Sequence, residues 1–153
     1  MKHYQKVILF LIVNFAALGI GGFLQDPGPM GAWYQNLNKA PWTPPGWVFG
    51  AAWTLIMVCF SFFMDFLTEH ENQKKLIALF SVQFVLNVIW NPIFFSHHLM
   101  GVALIVIISL TLLVAYFAFA YIKELKIKAL LIVPYFIWLC IACSLNIYAL
   151  LNN

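Results

Sequence analysis

The side chains with the most chemical capability in this sequence stand at regular intervals inside apolar runs. Gln83, Asn87 and Asn91 recur every four residues, which puts three amides on one helix face. A buried amide without a partner is costly in hydrocarbon, so this face must look into a bundle or onto a polar cavity. Hydrogen bonding that merely glues helices together is one reading. A binding-cavity wall is the other, and it is favoured because Trp90 and Phe94 accompany the stripe. Tyr135, Trp138, Ala142 and Leu145 follow helical spacing in the same way, with a small residue among large ones leaving space for a ligand or a neighbouring helix. Groups for conventional catalysis are sparse. His97 and His98 are adjacent and have no Cys, Asp or Glu at a usual ligand spacing, so no metal site is expected. Cys59, Cys140 and Cys143 all fall in apolar stretches, which argues against a disulfide framework.

The elements that must position these residues are set by composition. A hydrophobic fraction of 64%, a charged fraction of 8% and a mean hydropathy of +0.92 exclude an ordinary soluble domain and define an all-α integral membrane protein. At about 20 residues per span, the 153 residues have room for five or six spans and no separate soluble domain. The expected organisation is one domain, 1–153, with spans at about 7–24, 44–67, 76–95, 99–121 and 129–151. The first follows Lys2 and Lys6 and superficially resembles a signal peptide, but its length is nearer that of a span. Asn14 within it suits a packing hydrogen bond, and Ala17 with Gly21 has the small-xxx-small spacing that allows close helix approach. Asp65, near the end of the second span, is expected close to water and without a special role. Pro92 should end or kink the third span. The fourth, almost wholly aliphatic and aromatic, reads as a helix facing lipid or a second subunit.

Between the first two spans lies the longest connection. Trp33 to Trp53 holds four of the six tryptophans, and Pro41, Pro44 and Pro45 fix three φ angles and remove three amide donors. Such a loop is stiff and turned, with Thr43 the expected N-cap of a helix beginning near Pro44. An interfacial aromatic belt would also account for its tryptophans. With five spans, Lys2, Lys6, Lys74, Lys75, Lys123, Lys126 and Lys128 share one side and Lys39 alone marks the other. By the positive-inside rule the N-terminus is then cytoplasmic, and the first loop and C-terminus lie opposite.

Trp33-Tyr34, Leu37, Lys39, Pro41-Trp42-Thr43-Pro44-Pro45-Gly46 and Trp53 resemble the signature of the tryptophan-rich sensory protein and translocator protein family, also called peripheral-type benzodiazepine receptors. Gln83, Leu86-Asn87, Trp90 and Phe94-Phe95 are similar to its third-helix pattern. Pro134 to Trp138, Ser144-Leu145-Asn146 and Leu151-Asn152 are similar to its fifth. The resemblance implies a bundle of five transmembrane helices, commonly a homodimer in the membrane lipid, with a pocket under the first loop. It implies binding of porphyrins such as protoporphyrin IX or haem, and of isoquinoline- and benzodiazepine-type drugs, with no cofactor required and no nucleic acid. Carried over residue by residue, the ligand-binding set is Tyr34, Pro44, Phe49, Trp53, Met57, Asn87, Asn91, Trp138 and Ala142. Tryptophan faces would stack on a flat ligand while Asn87 orients a carbonyl or carboxyl group. Light-driven porphyrin degradation, known for some bacterial members, would make Trp53 and Trp138 the catalytic pair. The spans hold no general-base pair or nucleophile triad of a dedicated enzyme. A small transporter of tetrapyrroles or other hydrophobic molecules is the alternative, but no inverted repeat or intramembrane charge relay supports it. Nothing basic follows Tyr148, so the animal members' sterol pattern is absent.

Overall fold

The computed structural model describes residues 1–153. It is all-helical, with α1 (His3–Leu24), a short α2 (Ala32–Gln35), α3 (Gly46–Leu67), α4 (Gln73–Asn91), α5 (Met100–Ala120), a single turn α6 (Ile122–Leu125) and α7 (Val133–Asn152). Five helical segments are long and apolar enough to cross a membrane, the fifth running Ile122–Asn152 through α6 and the 3-10 segment Lys126–Ile132 into α7. Contacts run α3 to α1, α1 to α4, α4 to α5, α5 to α7 and α7 back to α3, so the long helices close into a ring.

Polar residues at helix starts do local work. Gln5 Oε1 accepts from the Lys2 amide at 2.9 Å, and α1 begins at His3, ahead of its apolar run. Asn72 Oδ1 accepts from the amides of Lys74 and Lys75, which starts α4 in the polar turn before Leu76. Thr43 is not the cap of α3. Pro45 occupies that place, and the Thr43 hydroxyl instead donates to the Ala40 carbonyl at 2.7 Å, tightening the loop. After Asn91, Pro92 cannot supply an amide to the α-helical ladder, and the chain continues as a π-helical turn over Pro92–Ser96.

The centre of the ring is aromatic. Phe60 of α3 packs against Phe63, Phe80, Phe117 and Tyr135 at centroid distances of 5.3–6.4 Å. Gln83 Nε2 of α4 donates to the buried Tyr135 hydroxyl of α7 at 2.6 Å, a bond across this core. Asn14 Nδ2 reaches Ser61 Oγ at 2.9 Å, joining α1 to α3 through two buried polar groups. Gly21 lets α1 approach α4 so closely that a Cβ there would stand 2.7 Å from Asn91 Nδ2. The fourth span is not a purely outward helix. Ala103, Ile107, Leu110, Val114 and Phe117 of α5 are buried at alternating intervals of four and three, while Ile105, Leu112 and Phe119 face out.

Asp65 also departs from expectation. It is 2% exposed, with its Oδ2 2.8 Å from His3 Nδ1. The first turn of α1 folds over the end of α3 and covers the carboxylate.

Candidate functional site

The connection between α1 and α3 lies across the ends of α4 and α7. Gly28 adopts φ +62, a left-handed conformation, between Pro27 and Pro29 as the chain leaves α1. Gly31 then passes so near the Pro27 ring that a Cβ would stand 2.5 Å from Pro27 Cγ. Trp33 stacks on the His98 imidazole at a 4.0 Å centroid distance and an interplanar angle of 10°, a contact that sequence reasoning missed. Tyr34 meets Phe94 and Phe95 edge-on. On the far side Trp42 Nε1 donates to Ser144 Oγ at 3.0 Å, and the Asn38 backbone exchanges two hydrogen bonds with the Asn153 side chain. The loop is therefore fastened at both edges, to the end of α4 and to α7.

Beneath it is a cavity of about 60 Å³, lined mostly by apolar side chains. Tyr34, Leu37, Lys39, Ala40 and Thr43 of the loop form its roof, Phe49 of α3 one wall, and Trp90, Phe94 and Phe95 another. Ala142, Leu145, Asn146 and Ala149 of α7 complete it. Trp90 stacks on Phe94 at 5.3 Å and 13°, giving a flat aromatic face. Its indole nitrogen donates to Asn146 Oδ1 at 3.3 Å, and Asn146 Nδ2 donates to the Met100 carbonyl at 3.1 Å. Lys39 Nζ caps short α2 through the carbonyls of Tyr34 and Gln35 at 3.0 and 3.1 Å, and sits 4.9 Å from the Tyr34 ring centroid. Burial pushes the Tyr34 phenol above its ordinary value, so it stays a neutral hydroxyl at physiological pH.

Of the residues expected to bind ligand, Tyr34, Phe49 and Ala142 line this cavity. Trp138 stands one layer behind, edge-on to Phe49 at 5.3 Å, and Trp53 lies 6.0 Å from Tyr135. Met57 is fully buried in the aromatic core, and Asn87 is buried on α4. Asn91 donates to the Asn87 carbonyl at 3.0 Å and packs on Gly21. Pro44 belongs to the half-buried loop just outside the lining set. Trp90, expected to accompany a cavity wall, lines the cavity, and Lys39 and Asn146 line it from outside the expected binding set. Each carried a signal: the only lysine between residues 7 and 73, a tryptophan beside the amide stripe, and an amide three residues beyond Cys143 in an apolar run.

A ring of five membrane-crossing helices with an aromatic pocket roofed by a proline- and tryptophan-rich loop defines a small multi-pass membrane protein with an enclosed site at one end. The chain belongs to the TspO/MBR family, whose model matches residues 8–151. It is 36% identical to a tryptophan-rich sensory protein of Cereibacter sphaeroides over 121 residues, 79% of this chain and 77% of that one. Protein CrtK of Rhodobacter capsulatus is 32% identical over 93% of this chain and 91% of its own length. The translocator protein of Sus scrofa is 29% identical over 83% of this chain and 80% of its own.

Proposed function

We propose that the protein is a membrane receptor or sensor for flat, hydrophobic, carboxylate-bearing ligands of the porphyrin type, protoporphyrin IX or haem, held under the first loop. The observation that carries this reading is the Trp90–Phe94 aromatic face meeting Lys39 and Asn146 at one cavity. A porphyrin ring has two large apolar faces for stacking and acidic side groups for a cation. Lys39 is the one cationic side chain in the cavity lining and is held at its edge by two carbonyls. The cavity is far smaller than the roughly 300–1,000 Å³ of ordinary ligand sites, so the loop must lift to admit a macrocycle. Its fastenings on α7 are three hydrogen bonds from surface side chains, which open at modest cost.

Light-dependent porphyrin degradation is a second activity of the same site. Trp138 touches Phe49 of the cavity wall, so an excited porphyrin would lie one side-chain layer from an oxidisable indole. Titration in the dark, followed at the porphyrin absorbance band, tests binding in the wild type and in Lys39→Met, Trp90→Leu and Asn146→Ala. Binding weakened about tenfold in Lys39→Met, as expected for loss of a charged contact, supports the reading. Equal affinity in all four proteins overturns it. Illumination of the wild type and Trp138→Phe then tests degradation: porphyrin loss at the same rate in both removes the tryptophan from the chemistry.

A further inference from the structure

At the opposite end of α3 a second pocket opens between α1, α3 and the 3-10 segment, with a volume of about 480 Å³. On α3, Phe49 of the first cavity and Phe62 of this pocket are 13 residues apart, roughly 20 Å along the helix. Asp65 is one of the residues that line the second pocket. Its Oδ2 is paired with His3 Nδ1 at 2.8 Å, while His3 Nε2 lies 3.0 Å from Glu69 Oε1. Its Oδ1 accepts no hydrogen bond although the residue is 2% exposed. Lys6 Nζ stands 3.7 Å from that oxygen, near enough for attraction but beyond hydrogen-bond reach, because it donates instead to Thr68 Oγ1 at 2.9 Å. A buried carboxylate oxygen without a donor is a costly arrangement that an N–H group entering the pocket would relieve.

The rest of the pocket indicates what brings that donor. Lys128 Nζ lies 4.1 Å from the Phe66 ring centroid at the rim, a second polar anchor of opposite sign to Asp65. Tyr4, Ile8 and Phe62 line the pocket and are also exposed on the outer surface of the bundle, where a membrane protein meets acyl chains. One wall is thus polar and zwitterion-like, and the other runs out into lipid. We propose that this pocket binds the headgroup of an aminophospholipid, a phosphoethanolamine lipid of the leaflet at the α1 start. Its primary ammonium donates to Asp65 Oδ1, its phosphate meets Lys128, and its acyl chains lie along Ile8 and Phe62. A choline headgroup has no N–H to offer the unpartnered oxygen, so the site discriminates between the two common zwitterionic lipids.

The test uses the full chain in detergent, titrated by native mass spectrometry with phosphatidylethanolamine, its N-methyl and N,N-dimethyl derivatives, and phosphatidylcholine of the same acyl chains. Affinity is expected to fall through the series, by about tenfold from first to last, the effect of a lost charged hydrogen bond. Asp65→Asn is expected to flatten the series, and Lys128→Met to weaken all four lipids alike. Equal affinity of the wild type for all four, or a preference that survives in Asp65→Asn, overturns the proposal. The wild-type series decides alone if Asp65→Asn does not fold. Free phosphoethanolamine at millimolar concentration serves as competitor: failure to displace the lipid supports a site that needs the acyl chains, and full displacement would assign it to a soluble amine.

Discussion

The amide stripe of α4 serves structural bonding, and none of Gln83, Asn87 and Asn91 is among the residues that line the cavity under the loop. Gln83 spends its amide nitrogen on the Tyr135 hydroxyl inside the core, and Asn91 spends its own on the backbone of its helix. The spacing in the sequence identified the face but not the partners, because a four-residue period fixes direction around a helix and says nothing of what stands opposite. Tyr135→Phe removes the only partner of the Gln83 amide nitrogen, leaving a buried donor unsatisfied next to an oxygen, Gln83 Oε1, that already has no partner. The expected cost is about 1–3 kcal/mol, read as earlier unfolding in a detergent denaturation series, whereas Gln83→Leu with Tyr135→Phe should recover part of it. Trp42 offers a sharper local test. Trp42→Phe keeps the edge-on packing against Tyr148 but loses the donor to Ser144, so hydrogen exchange of residues 33–45 should accelerate while that of α3 to α7 stays as in the wild type. Unchanged exchange in the loop would show that this bond does not hold it.

At the scale of the element, helices were legible and their inner faces were not. In water a helix declares its buried face by contrast with a polar one, but α5 is apolar all round, and lipid is as apolar as the core. Only polar interruptions such as Asn14, Gln83 and Asn87 marked an inside, and each is buried. Asp65 was misread for a related reason. Its position in the chain placed it near water, but the first turn of α1, packed back over it through His3, could not be read from α3 alone. The turn between α3 and α4 carries a further element-scale device. Glu71 accepts from Lys75 at 2.8 Å and from the Tyr121 hydroxyl, and these bonds, with one from the Asn72 amide, hold its carboxyl at about 2, below its ordinary 4.5. The unfolded chain therefore binds this proton first as pH falls. The contribution to stability is complete above about pH 4.5 and is lost towards pH 2. A melting series from pH 5.5 to pH 2.5 should show a steeper fall for the wild type than for Glu71→Gln, which has nothing to titrate there. Parallel curves would mean that the loop network does not couple to folding.

For the molecule as a whole, five spans and a stiff first loop followed from composition, proline placement and the asymmetry of lysines. The ring order α1–α4–α5–α7–α3 did not, since nothing in a run of apolar residues specifies its neighbours. Of the residues that the resemblance implied as ligand-binding, Trp53 and Met57 pack into the cluster around Phe60 and Tyr135, whereas Tyr34, Phe49 and Ala142 line the cavity at the loop end beside Trp90 and Asn146. The resemblance named residues along the whole depth of the bundle; which of them border open space depends on side-chain packing that no spacing in the sequence records.

A cavity of about 60 Å³ under a fastened loop also makes time, as well as affinity, a property that distinguishes ligands. A small molecule can enter the closed form, so its observed association rate should rise in proportion to its concentration. A macrocycle must wait for the loop to open, and its observed rate should climb and then level off at the opening rate, whatever the excess of ligand. In stopped-flow mixing Trp42→Phe should raise that plateau by about fivefold, the effect expected of one lost neutral hydrogen bond of about 1 kcal/mol, and leave the small-ligand slope untouched. A gate of this kind would let the protein ignore brief encounters with large hydrophobic molecules in the bilayer and respond only to those that persist.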